Sequence, residues 1–142
     1  MSMLIAAFMF MPLLAMTIAH FLWAAGRTWP IRDPQLLAET VIGRPGVARV
    51  PALNAFARSA FFLVTGILAL ALADHDSGGP LLTLAGLPVA ALFLARGFIG
   101  YTKQWAARTP LPNFRVNDQR VYSPLSLFLG TGFVVLIVLR LF

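Results

Sequence analysis

Cysteine is absent from this 142-residue chain. Disulfides, thiolate catalysis, zinc–cysteine sites and iron–sulfur clusters are therefore excluded. Acid is nearly as scarce: the carboxylates are Asp33, Glu39, Asp74, Asp76 and Asp118. None of them falls inside a long apolar run, so a proton relay across a membrane lacks its usual intramembrane acid. No nucleophile–base pair, glycine-rich phosphate loop or paired catalytic carboxylates can be read. Charged residues make up 11% of the chain and hydrophobic residues 59%. Soluble domains carry about 25% charged residues, and a soluble core of this length could not hide so much apolar surface.

What the chain does have is apolar runs of membrane-spanning length. The expected architecture is all-α: an integral membrane bundle of four transmembrane helices with up-down connectivity, a single membrane domain over residues 1–142. The first span runs from about Leu4 to Ala25, roughly 33 Å of helix against a hydrocarbon core of ~30 Å. It has no Lys or Arg before Arg27 and is longer than a secretory signal core, so it reads as an uncleaved span. Pro12 inside it predicts a mild kink. The other spans are expected at about 52–73, 81–101 and 124–142, with Pro51 and Pro124 at the first turns of the second and fourth and a kink at Gly86-Leu87-Pro88. Gly86 with Ala90, Gly97 with Gly100, and Ser126 with Gly130 are small residues spaced to let helix backbones approach.

In the long first connection, from Gly26 to about Val50, Asp33-Pro34 is a helix-start signal and Gly43 a stop. The segment between them predicts a short amphipathic helix lying at the membrane interface. Asp74 to Pro80 reads as a tight polar turn. Asp74-His75-Asp76 offers carboxylate and imidazole ligands, but three adjacent residues rarely converge on one ion. A solvated turn is the plainer reading, and no metal or cofactor is expected.

The formal net charge is +6, and its placement is lopsided. Arg27, Arg32, Arg44, Arg49 and Arg58 border the first loop; Arg96, Lys103, Arg108, Arg115 and Arg120 border the third. The middle turn has no Lys or Arg, and only Arg140 lies at the opposite end. The positive-inside rule then predicts a bacterial cytoplasmic (inner) membrane protein with loops one and three in the cytoplasm and both termini outside. Trp23, Trp29, Tyr101 and Trp105 gather at the basic end as interface anchors. The partners expected are membrane lipids, with anionic headgroups at the basic loops, and a second copy or another membrane protein. Nucleic acid is not expected, since the basic groups form two membrane-bounded loops with no recognition motif.

Several residues are candidates for a ligand site. Asn54, Arg58 and Thr65 form a polar stripe at helical spacing on the second span. His20 is the one histidine inside a span: it either bonds a helix carbonyl or belongs to an internal polar site with Arg58 or Arg96. Arg96 either snorkels to the headgroups or faces the bundle interior, paired with Asp118 or gripping an anion. His20, Asn54, Arg58 and Arg96 lie at similar depth and could line one vestibule; Asp118 and Tyr122 complete the candidate set.

His20 with Trp23-Ala24 and Gly26, Arg96-Gly97, Phe114, Asp118 and Tyr122-Ser123-Pro124-Leu125 together resemble a bacterial integral-membrane family, the domain of unknown function 3995. The shared features are spread over most of the chain. The resemblance implies a four-span fold and a membrane location, and it brings no activity with it. That family often continues its arginine with a Gly-Asp pair. This chain reads Gly97-Phe98, so the resemblance implies no arginine-plus-acid cluster at that point.

The reading that follows is a non-enzymatic accessory or structural membrane component. The alternatives are a binder or transporter of a lipid-like or anionic small molecule, and a membrane enzyme acting on a lipid or quinone through His20.

Overall fold

The computed structural model describes residues 1–76 and 78–142. Ser77, inside the turn expected over Asp74 to Pro80, lies outside the described residues. The helices are α1 (Ser2–Ala24), α2 (Pro34–Val41), α3 (Ala52–Ala73), α4 (Gly79–Ile99), α5 (Lys103–Arg108), α6 (Pro112–Asn117) and α7 (Ser123–Leu141), and a π-helical turn (Asp118–Tyr122) joins the last two. There is no strand among the described residues.

Four helical rods are long and apolar enough to cross a membrane: α1, α3, α4 and the continuous rod Pro112–Leu141. Only 22–33% of the most apolar window in each is buried inside the protein. The remainder, including Leu4, Phe8, Val64, Leu84 and Phe98, is exposed. Surface of that kind is stable against lipid and not against water.

The rods pair as two hairpins. α1 packs closely on α3, and α4 on α7, while the hairpins meet each other more lightly. Between them lies a core of Met9, Leu13, Leu72, Phe93, Leu129 and Phe133. The Phe93 and Phe133 rings stack at 6.3 Å, and Phe61 closes on Phe93 at 5.9 Å. The α4–α7 hairpin is tight because glycines face it from both sides. A Cβ on Gly97 would stand 3.0 Å from the backbone nitrogen of Leu127, and one on Gly130 would stand 2.8 Å from that of Leu94. Of the expected small residues, Gly97 and Gly130 thus meet a neighbouring helix backbone to backbone, while Gly86 is met by the side chains of Leu72 and Ile137.

At the end away from the basic loops, α3 finishes without a side-chain cap of its own. Its last carbonyls are met from other helices instead. Ser2 donates to the carbonyl of Ala73 at 3.2 Å, and Arg140 donates to those of Leu72 and Asp74 at 3.2 and 2.8 Å. A cation at a helix C-terminus also complements the helix dipole.

The basic end is built more fully than the sequence predicts. Asp33 caps α2 as expected, accepting from the N–H groups of Gln35 and Leu36, and Gly43 follows it at φ +74°. The buried face of α2, Leu37 and Ala38, is turned toward the protein, and α2 packs on α6. The third connection, expected as a loop, folds into α5 and α6. Thr102 caps α5 by accepting from the N–H of Trp105 at 3.2 Å, and Pro112 opens α6. The fourth rod consequently begins at Pro112 and not at Pro124. Its 30 residues reach roughly 45 Å, so about three turns stand clear of a ~30 Å hydrocarbon core.

Candidate functional site

The π turn sets the geometry of the polar centre. In an α-helix, residues five apart lie roughly 140° apart around the axis at ~100° per residue. In the π register the hydrogen bond itself runs from residue i+5 to residue i, so such residues share a face. Here the N–H of Ser123 donates to the carbonyl of Asp118, and the Ser123 hydroxyl donates to Asp118 Oδ1 at 3.1 Å. The next donor in that register would be the N–H of Pro124, which proline lacks. The Gln119 carbonyl that it would have served accepts the Tyr101 hydroxyl at 3.4 Å.

Asp118 has no exposed side-chain surface. Burying a carboxylate is costly unless charge and hydrogen bonds replace its water, and here they do. Arg96 Nη2 donates to Oδ1 at 2.7 Å. Trp105 Nε1 donates to Oδ2 at 2.9 Å, and Arg115 Nη1 lies 3.7 Å from that same oxygen. The Arg96 guanidinium sits 4.8 Å above the Trp105 ring, a cation–π contact. Gly100 completes the packing: a Cβ there would collide with the Ser123 hydroxyl. Arg96 lies three residues before the end of α4 at Ile99, only ~4.5 Å of rise from the wet face. The pairing with Asp118 foreseen for it is the one present, and the acid comes from a different helix than the family's Gly-Asp pattern suggests.

An aromatic wedge fixes this centre to the first loop. Phe114 is buried against Gly43, with Trp105 at 6.3 Å and Tyr122 at 5.7 Å between ring centroids. The Tyr122 hydroxyl donates to the carbonyl of Thr40 at 3.3 Å. Tyr122 thus ties the fourth rod to α2.

The other candidate residues stand apart. His20 is bonded to its own helix, Nδ1 to the Met16 carbonyl at 2.8 Å, with its ring against Trp23 and Phe62. Asn54 and Arg58 are exposed. Arg58 follows Ala55 by three positions and precedes Phe62 by four, so it lies beside the stripe of α3 that faces the bundle. It is within electrostatic reach of Arg96 and Arg44. The four residues expected to line one vestibule are thus divided: His20 and Arg96 are satisfied separately, and Asn54 and Arg58 open to the surroundings. Trp23 Nε1 donates to the carbonyl of Trp29 at 2.7 Å, bracing the exit of α1. Ser123, Arg115 and the inward role of Trp105 were not readable from spacing, because an α-helical wheel puts Asp118 and Ser123 on different faces. No group of three or more metal-ligating side chains occurs among the described residues.

The model of the family described as "Protein of unknown function (DUF3995)" matches residues 13–133. The chain belongs to that family. The match takes in Arg96, Trp105, Arg115, Asp118 and Ser123, so the ionic centre lies wholly within the family region. No curated protein and no solved structure matches the chain significantly.

Proposed function

We propose that the protein is a non-enzymatic accessory or structural component of a bacterial cytoplasmic membrane, one membrane domain whose basic end faces the cytoplasm and whose termini lie outside. One observation carries the reading: the buried ionic centre is closed on itself. Both oxygens of Asp118 are occupied by groups from α4, α5, α6 and α7, and neither cleft described in the structure is lined by any of these residues. The charges are used to fasten a folded cap to a helical bundle. The wide apolar flanks of the four rods supply surface for lipid, a second copy or a larger membrane partner. The basic residues at one end support the orientation.

Purification from native membranes in mild detergent, with crosslinking, tests this reading. A reproducible homo-oligomer or a co-purifying membrane protein is expected. A free monomer with no crosslinked neighbour would overturn it.

One observation favours a second reading, a binder of an anionic small molecule: Arg58, exposed beside the buried stripe of α3, has no ion-pair partner among the described residues. Arg58→Ala would then lower ligand retention while leaving expression unchanged. Normal retention in that variant removes this alternative.

A further inference from the structure

A second polar feature lies away from the Asp118 centre. Where α1 ends and α2 and α3 begin, a cleft of about 160 Å³ opens at the basic end, with Trp23, Arg27, Leu37, Arg49, Pro51 and Ala52 in its wall. The two arginines come from opposite ends of the first loop and converge on it. Neither guanidinium has a hydrogen-bond or ion-pair partner among the described residues. No acid lines the cleft; the neighbouring Asp33 is turned to cap α2. The first turn of α3 has neither a side-chain cap nor an acidic residue, and Ala52 at its head faces the same space. Apart from the arginines and Thr28, whose hydroxyl donates to the Arg32 carbonyl, the wall is mostly apolar, with Trp23, Leu37 and Pro51 in it.

Three features of this cleft select its ligand. Two unpaired guanidiniums on one small volume favour an oxyanion with several acceptor oxygens, because the planar fork matches phosphate. The cleft, about 160 Å³ and open to one side, has room for a phosphate group and the first atoms of its substituent. Trp23 stands one residue before the end of α1, and Ala52 is the first residue of α3, so the cleft lies at the boundary of the spans, the level of lipid phosphates. We propose that this cleft is a phosphate-binding site for an anionic membrane lipid, with Arg27 and Arg49 gripping the headgroup oxygens and the apolar wall receiving the start of the glyceryl chain. This goes beyond the structural role proposed above and stands whether or not the protein has a protein partner.

The test counts lipid retained on the detergent-purified full chain by native mass spectrometry, after exposure to phosphatidylglycerol or to phosphatidylcholine. The wild type is expected to keep phosphatidylglycerol preferentially. Arg27→Gln with Arg49→Gln should lower that retention about tenfold or more, the loss of at least one charge-assisted hydrogen bond. Arg32→Gln with Arg44→Gln removes the same charge from the same loop outside the cleft and should leave most of the retention in place. A parallel arm with inorganic phosphate separates the sources. If phosphate alone raises the thermal stability of the wild type but not of the Arg27/Arg49 variant, and phosphatidylglycerol is not kept, the cleft binds soluble phosphate and the lipid assignment falls. Equal losses in the two double variants, or no preference in the wild type, overturn the site itself. Arg27→Lys with Arg49→Lys guards against misfolding of the glutamine pair: it keeps the charge without the fork and should retain an intermediate amount. Full retention in the lysine pair would overturn the guanidinium grip.

Discussion

A carboxylate with no exposed surface at the edge of a membrane is stable only while its oxygens are occupied, and Asp118 holds that condition with side chains from four helical segments. Asp118→Asn keeps the shape and removes the charge, leaving Arg96 and Arg115 facing each other without an anion. Breaking a buried pair from one side costs about 3–5 kcal/mol, so thermal unfolding in detergent should show a large loss. Trp105→Phe keeps an aromatic ring under Arg96 but removes the donor to Oδ2 and part of the indole surface. The lost donor alone is expected to cost about 1–3 kcal/mol, the range for leaving a buried acceptor unsatisfied. A Trp105→Phe variant as unstable as Asp118→Asn would show that the lost ring surface contributes beyond the N–H. Arg96 and Asp118 were legible as a possible pair because a lone arginine near a span end asks for a counter-charge. Ser123 was not legible, since its use depends on a helical register that sequence periodicity does not display.

At the scale of elements, the π turn is the part with the clearest mechanical task. It carries one extra residue in a rod that runs from Pro112 to Leu141, so that Asp118 and Ser123 share a face although they are five apart. Val121 is exposed within it and makes no polar contact that the centre uses. Deleting Val121 should restore an ordinary α-helix in which Asp118 and Ser123 are four apart and still within ~40° of each other. The expected outcome is a rod that still inserts and a stability loss well below that of Asp118→Asn, measured by the same unfolding experiment. A loss as large as that of Asp118→Asn would show that the π register itself, and not the shared face, holds the centre together. The long spans were readable because apolar runs of such length have few alternatives. The six-residue helices α5 and α6 were not, because segments so short show no period. They are held by Phe114 and its neighbours more than by their own propensity.

For the whole molecule, two tight hairpins share a light interface, and the wet mass is concentrated at one end. The absence of cysteine makes the orientation directly measurable. His75 and Gln104 are exposed at opposite ends of the bundle. In intact cells a membrane-impermeant maleimide should label His75→Cys, and should label Gln104→Cys only after permeabilisation. The reverse pattern would invert the proposed orientation. The proposed sidedness rests on the arginine distribution, and this labelling tests it. The folded cap was not, because its contacts join residues as far apart as Thr40 and Tyr122, which no local pattern connects.

The distance along the chain between Arg96 and its counter-charge has a consequence for biogenesis. Asp118 is made 22 residues after Arg96, an interval of roughly one to four seconds at ribosomal speeds of ~5–20 residues per second. Arg96 therefore always precedes its counter-charge, and an α4 segment that enters the membrane ahead of Asp118 does so with its guanidinium unmatched. The hairpin can close only when the following segment arrives, so the order of synthesis sets the order in which the two halves of the bundle are completed.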